Sequence, residues 1–427
     1  MSERVVIRNG RIIDPANHID QVGDLYWADG RIVAVASQPD SFSADREISA
    51  AEKIVCPGFI DLCARFREPG REHKATIASE SRAAAAAGIT TVCCHPDTDT
   101  VIDTPAVANL IRQQAKRAGK TRILPIGALT RGLQGKDLSE MCAFKESGCL
   151  AVSNAHIPLL NTLILRRVLE YAASYDLLVI IRPEDPWLAD GGCVHEGAVG
   201  TRLGLPGIPC AAETVALAQV LALLEHTQTR VHFAQLSSAR AARVIARALE
   251  KDISITADVA IHHLHLTEAD VDGFNALYHV QPPLRAQGDL EVLRGAVGEG
   301  VITTICSDHQ PHEPDAKLGP FAATEPGISS LETLLPLTLA LVNDGTLTLS
   351  QAIATLTQKP AEILKLEFGT LSLNAPADIC IFDPEATWVV SENRWYSSGR
   401  NTPYWGQTLQ GRVTHTFLAG QLVYQEI

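Results

Sequence analysis

Between residues 56 and 368, short β-rich runs alternate eight times with longer helical patterns, and that alternation narrows the possible folds more than any other feature of the chain. The runs fall at 59–63, 90–94, 123–128, 150–153, 177–181, 231–235, 253–259 and 302–306. A short strand followed by a helix is a βα unit, and successive units of that kind build a parallel sheet. Eight units are what a (β/α)8 TIM barrel needs to close. The punctuation agrees: the helical stretch 83–87 stops at Gly88, and the stretch 105–118 opens on Pro105 and stops at Gly119. The competing arrangement, a doubly wound open sheet, would be supported by a Gly-x-Gly-x-x-Gly or P-loop pattern, and the sequence has neither.

Outside the barrel the texture changes. Residues 5–55 read as short alternating strands, with Ala28-Asp29-Gly30 as a hairpin turn before Arg31. The same texture returns after residue 369, in 377–382 and 416–423. The two ends are therefore expected to build one small β domain from 1–55 and 369–427, beside a barrel domain at 56–368. A length of 427 residues accommodates both.

Charge and cysteine usage exclude several classes. Lys and Arg number 36 against 49 Asp and Glu, a net charge of −13, with no local basic cluster, so nucleic acid and anionic membranes are not expected partners. The most apolar stretch, 334–342, contains Pro336 and is far shorter than the roughly 20 residues a membrane helix requires. The first ten residues lack the apolar core of an export signal, and the ten cysteines sit mostly inside apolar runs without a C-x-x-C motif. A cytoplasmic location is the expectation. The vicinal pair Cys93 and Cys94 is read as core packing.

In a barrel of this kind chemistry sits just beyond the C-terminal ends of the strands. There the chain carries Pro57-Gly58-Phe59-Ile60-Asp61-Leu62 and Arg67-Glu68-Pro69-Gly70, Thr90-Thr91-Val92-Cys93-Cys94-His95-Pro96, and Ile261-His262-His263-Leu264. It also carries Val280-Gln281-Pro282-Pro283-Leu284-Arg285, Ser307-Asp308-His309-Gln310-Pro311-His312, Glu325-Pro326-Gly327 and the segment 192–213. With these motifs the chain resembles the dihydroorotases of the cyclic amidohydrolase superfamily along nearly its whole length.

The resemblance implies zinc ligands at the ends of strands one, four, five, six and eight, and a metal-bound hydroxide that attacks the dihydroorotate ring. Zinc supplies that nucleophile by lowering the pKa of bound water to about 7. Residue by residue, however, the ligand set is missing. Where the family has His-x-His, this chain has Cys63-Ala64-Arg65. The acidic ligand after strand four falls in Ser153-Asn154-Ala155-His156, with Asn154 at the ligand position; the strand-five histidine is Arg182 and the strand-six histidine is Gln235. Only Asp308 remains. A guanidinium stays protonated and cannot ligate a metal. Two cations about 4 Å apart repel by about 4 kcal/mol at an effective dielectric of about 20, so zinc is expected to be absent. Arg65 and Arg182 are instead expected to neutralise Asp308 or Asp97, with Asp308 pushed down by its arginine neighbours.

The substrate pocket is mixed. Arg67 and His312 match residues that hold the substrate carboxylate in the family, while Asp97 and Gln281 each replace an asparagine. The pair His262-His263, on a strand with side chains to opposite faces, is read as structural, and His265 with it. The one remaining donor set for a metal would be Cys63, Asp308, His309 and His312.

Two functions follow from the resemblance. One is a non-catalytic dihydroorotase homologue that serves as a structural or regulatory subunit of aspartate carbamoyltransferase in pyrimidine biosynthesis. The other is an active cyclic amidohydrolase with a remodelled metal site. The family also implies a homodimer, and the Gly/Pro-rich loops 183–210 and 310–328 would border the mouth or serve binding.

Overall fold

The computed structural model describes residues 3–39, 42–159, 161–251 and 253–426. Phe59–Ala64 pairs in parallel with Ile89–Cys94, and that strand pairs with Arg122–Pro125. The third strand breaks at Ile126 and resumes as Gly127–Ala128, which pairs with Ala151–Ser153. Leu178–Ile181, Val231–Phe233, Ile255–Ala260 and Thr304–Cys306 follow, all parallel. The ring closes where Arg65 N donates to the His309 carbonyl (2.9 Å) and Ala64 bridges to His309. Strands of this sheet are buried on both faces, by the helices outside and by one another's side chains inside the barrel, which is why they read as near-continuous apolar runs.

The helix Pro105–Ala118 ends on Gly119 at φ +62°, a left-handed turn that glycine adopts freely. Ile77–Ala86 starts with a capping box in which Thr76 and Ser79 satisfy each other's backbone N–H. The segment 183–210 is more ordered than a Gly/Pro-rich loop. It carries the short helices Pro186–Ala189 and Ala198–Leu203 and a two-stranded ribbon of Val194–His195 with Gly207–Ile208. Asp185 nucleates the first helix by accepting from Trp187 N and Leu188 N, with Pro186 preset at its first position. The pair His262-His263 also departs from expectation: it lies in the 3-10 turn Ile261–Leu264 after the seventh strand, and the two rings are 4.6 Å apart.

Both ends of the chain share one sheet. Its strand order is Gln421–Gln425, Thr408–Leu418, Ile379–Val389, Ile54–Pro57, Arg4–Asp14, Ile19–Ala28, Arg31–Val35, with Arg46–Ser49 also paired to Arg4–Asp14. The two chain ends meet where Ile379–Val389 runs antiparallel to Ile54–Pro57. The turn at Asp29 and Gly30 has φ of +54° and +72°, as a two-residue hairpin matched to strand twist requires. Trp27 and Phe417 meet edge-to-face at 5.1 Å in the core of this sheet.

The sheet is fastened to the barrel by Phe382, which is fully buried and 6.4 Å from the ring of Phe59. Gly88 lies beside this contact at φ +80°, and a Cβ there would stand 2.5 Å from Cys380 Sγ. Glu80, fully buried, accepts from His309 Nε2 (2.8 Å), Ser397 Oγ (2.6 Å) and Ser398 N (3.0 Å), tying the first helix to the eighth strand end and the C-terminal segment. Among the described residues no helix is long and apolar enough to cross a membrane.

Candidate functional site

Four non-glycine residues at the ends of strands one, four, six and eight adopt left-handed backbone conformations: Arg67 (φ +62°), Ala155 (+51°), Gln235 (+58°) and Asp308 (+46°). Such conformations cost on the order of 1–2 kcal/mol per residue, and residues held in them concentrate at functional sites. Here they turn the chain sharply as it leaves each strand. The sixth strand consequently ends at Phe233, short of the expected Gln235, whose backbone N–H is spent on Asp258 (2.6 Å).

Arg65 is the centre of the cluster. Its Nε donates to Asp97 Oδ2 at 2.6 Å and its Nη1 to Asp308 Oδ1 at 3.3 Å, with all three side chains more than nine-tenths buried. Gln235 Nε2 lies 2.5 Å from Asp308 Oδ1 and 2.9 Å from Cys63 Sγ, and Gln310 Nε2 donates to the same Asp308 oxygen at 3.0 Å. Cys63, Arg65, Gln235, Asp97 and Asp308 are thus brought together as the sequence suggested.

Arg182 and Asn154 are not. Arg182 Nη2 reaches Glu184 (3.2 Å) and the His156 carbonyl (3.1 Å), so its direct partner is neither Asp308 nor Asp97. The nearer acid, two residues along its own chain, takes the guanidinium. Asn154 turns into its loop, accepting from Thr130 Oγ1 (3.0 Å) and donating to the Ile157 carbonyl (2.8 Å). Its place against the cluster is taken by His156, whose Nδ1 is 3.2 Å from Asp97 Oδ2. The left-handed Ala155 between them redirects the chain.

Burial raises the Asp308 carboxyl well above its ordinary range, and Cys63 adds to that rise, while Arg65, Gln310 and Arg182 pull the other way and lose. This reverses the expectation that arginines would push Asp308 down: the group lies 1% exposed, and desolvation dominates. Asp97 behaves oppositely. Burial would raise it, but Arg65 and then His156 hold it well below the usual carboxylate range. The Cys63 thiol is held low by hydrogen bonding to Cys306, against burial and with help from His95 and Arg65.

The neighbouring pocket joins Arg67, His312 and Gln281. Arg67 Nε donates to the Pro311 carbonyl (3.0 Å), and its Nη2 lies 3.0 Å from His312 Nε2. Burial, then Arg65, lowers Arg67 to about 10; burial, then Arg67 and Lys74, lowers His312 to about 2, so the imidazole is neutral. Gln281 donates to both oxygens of Glu184 (3.2 and 3.1 Å). Lys74 donates to His312 Nδ1 (3.1 Å) and pairs with Glu325 (2.6 Å) and Glu313 (3.3 Å). Lys74 and Glu325 carry no sequence signal as a pair, because a contact across 251 residues has no local pattern; His156 and Gln310 lie inside the motifs quoted above, and Glu184 lies in the loop 183–210 two residues beyond Arg182.

Of His262, His263, His265 and His309, one approaches the Asp308 carboxylate, His262. Both ring nitrogens of His309 are engaged, Nε2 by Glu80 (2.8 Å) and Nδ1 by Ser330 N (3.0 Å), and His263 and His265 contact backbone carbonyls. His262 Nε2 is 4.0 Å from Asp308 Oδ2. Among the described residues, the one place where three metal-capable side chains bring ligand atoms within 4.8 Å of one another is away from this cluster, at His195, Cys210 and Asp289. There the Arg285 guanidinium lies 3.1 Å from His195 Nδ1, a cation where a second cation would have to enter.

Comparison with known proteins places these features in context. Residues 52–241 match the family described as Dihydro-orotase-like. The chain is 49% identical to a "Dihydroorotase-like protein" of Pseudomonas aeruginosa over 421 residues, covering 99% of each chain. A protein of the same description from Pseudomonas putida is 48% identical, covering 98% of this chain and 99% of its own. A "Dihydroorotase" of Anaeromyxobacter dehalogenans is 40% identical, covering 100% and 99%. Among solved structures, the L-hydantoinase (dihydropyrimidinase) from Arthrobacter aurescens is similar in fold, with a TM-score of 0.89 at 22% identity, covering 100% of this chain and 96% of that one.

Proposed function

Because the chain belongs to the dihydroorotase-like family of the amidohydrolase superfamily, we propose that it is a member whose barrel has exchanged zinc hydrolysis for a non-catalytic role. The observation that carries this reading is Arg65. Its guanidinium bridges Asp97 and Asp308 from the position where the family has a zinc-binding histidine.

The residues present do not fit zinc. A zinc site takes about four Cys, His or carboxylate ligands at roughly 2.0–2.3 Å. Around Asp308 stand Cys63, the amides of Gln235 and Gln310, the Arg65 guanidinium and, 4.0 Å away, the His262 imidazole, while both nitrogens of His309 are already used. A divalent ion beside Arg65 would add like-charge repulsion to an incomplete ligand set. Without a metal hydroxide, Asp308 would have to activate water. Its raised pKa helps a base of that kind, but Arg65, Gln235 and Gln310 already occupy one oxygen.

The test is a dihydroorotate ring-opening and ring-closing assay on purified protein with excess zinc, beside a conventional dihydroorotase. No turnover above background is expected, and no stoichiometric zinc after dialysis. Zinc-dependent turnover would overturn the reading. It would establish the second one, an active cyclic amidohydrolase, which the retained Arg67–His312 contact at 3.0 Å and the 40% identical relatives named dihydroorotase favour.

The partner we propose is aspartate carbamoyltransferase, with this chain as a structural or regulatory subunit in pyrimidine biosynthesis. The support is that the closed barrel and the composite sheet persist although the ligand set does not, as expected of a fold kept for association. Co-expression with the transcarbamoylase from the same source should give one co-eluting species in size-exclusion chromatography. Separate elution at micromolar concentration would refute the partner.

A further inference from the structure

Trp187 is 81% exposed and stands at the rim of a cavity outside the strand ring, beside the ends of the fourth and fifth strands. Ile157 on the same rim is exposed, and so are Leu163, Leu188 and Val215, each within two residues of a side chain that lines the cavity. Single exposed apolar residues are ordinary, but a group of them around one hole marks a contact surface. From this face we infer that the chain forms a dimer across a two-fold axis, with Trp187 of each copy seated in the cavity of the other.

The cavity measures about 280 Å³ and lies between two walls. Ile157, Leu159 and Leu165 form one, where the chain enters the helix Thr162–Ser174. Pro186, Trp187 and Val220 form the other, on the short helix Pro186–Ala189 and the helix Cys210–Leu224. At just under the roughly 300 Å³ of the smaller ligand pockets, the space suits one aromatic side chain. The knob is held as firmly as the hole. Pro186 presets the first turn and Asp185 accepts from Trp187 N (3.0 Å) and Leu188 N (2.9 Å), so both apolar side chains project from a fixed turn. A knob and a hole on the same face fit themselves, and a patch that fits itself joins two copies by a two-fold axis.

Charge selects a second copy as the occupant. The chain carries a net −13, so two copies repel unless they meet where that charge is absent. On this face the acids are spent internally: Glu184 on Arg182, Glu170 on Arg166, and Asp185 on backbone N–H groups. The helix Cys210–Leu224 has one charged residue, Glu213, and it is buried; outward the helix shows Val215, Ala218, Gln219 and Ala222. A helix without a charged face is normally covered. Two charges remain, both exposed and in no ion pair among the described residues. Arg167 lies one turn beyond Leu163 on the first wall, and Asp190 ends the Trp187 helix on the second. A two-fold axis exchanges the walls, which sets Arg167 against Asp190 of the partner subunit.

The experiment is sedimentation velocity on the full chain over a range of micromolar concentrations. A concentration-dependent dimer is expected, and Trp187→Asp should raise its dissociation constant about thirtyfold or more, the loss of one interface hot spot. The exposed position spares the fold, which far-UV circular dichroism checks. Leu373→Asp, a change at another exposed apolar residue, beside the composite sheet, should leave the dimer unchanged. Arg167→Asp and Asp190→Arg should each weaken the dimer about fivefold, and the double variant should recover it. A monomer at every concentration, a dimer indifferent to Trp187→Asp, or single and double charge variants that dimerise alike would each overturn the inference. So would a chain that stays monomeric alone and loses co-elution with the transcarbamoylase on Trp187→Asp, since the face would then belong to that partner. None of these outcomes bears on zinc-dependent ring opening, so failure here is distinguishable from failure of the non-catalytic reading.

Discussion

Replacing Arg65 with methionine, a side chain of similar reach without charge, should destabilise the folded chain by about 3–5 kcal/mol, as breaking a buried ion pair from one side does. The carboxylate left behind is Asp97, 7% exposed and now without its 2.6 Å partner. The pH dependence identifies the cause. In the native chain Asp97 is held below its ordinary pKa, so its contribution to stability is present above the unfolded value near 3.9 and is lost only as pH falls through the lower folded value. Without Arg65, burial dominates and the folded pKa rises, so the variant loses stability as pH rises through about 4. Urea denaturation should therefore show a deficit that is large at pH 7 and narrows toward pH 4. An equal deficit at both pH values would mean that Arg65 acts through packing alone.

Phe382→Ala is expected to cost about 3–5 kcal/mol, the range for removing a fully buried aromatic ring. The ring is 0% exposed and packs on Phe59, joining the C-terminal strand Ile379–Val389 to the first barrel strand. Leu373→Ala is the control: that side chain is 64% exposed, and its removal should stay within about 0.5 kcal/mol. A Phe382→Ala midpoint indistinguishable from the control would show that the composite sheet is not fastened to the barrel through this contact.

The eight strands were legible because a parallel strand buried on both faces must be a short apolar run, and the helix between two such runs needs a start and a stop signal. Pro105 and Gly119 bound their helix at the residues the pattern indicated. Legibility failed where the chain leaves the strands. The left-handed Ala155 moves His156 into the place assigned to Asn154, and the left-handed Gln235 ends the sixth strand two residues early. Nothing in local composition marks an alanine or a glutamine for that conformation. The segment 183–210 reads as loop because its helices are only four and six residues long, too short for a period to register.

At the site, residue identity sets which side chains are available: arginine at positions 65 and 182, glutamine at 235, aspartate at 97 and 308, and hence a set too poor in soft or imidazole donors for zinc. The pairing and its electrostatic consequences come from folding. Arg65 and Asp308 are 243 residues apart and meet because the first and eighth strands are neighbours where the barrel closes. Arg182 takes Glu184 because that carboxylate lies within 3.2 Å. Asp97 falls in pKa and Asp308 rises, although both contact the same guanidinium, because Asp97 has a second hydrogen-bonding partner in His156 while Asp308 lies buried against Cys63. Residue type fixes what a group can do, but the dielectric and the neighbour that decide what it does are properties of the folded chain.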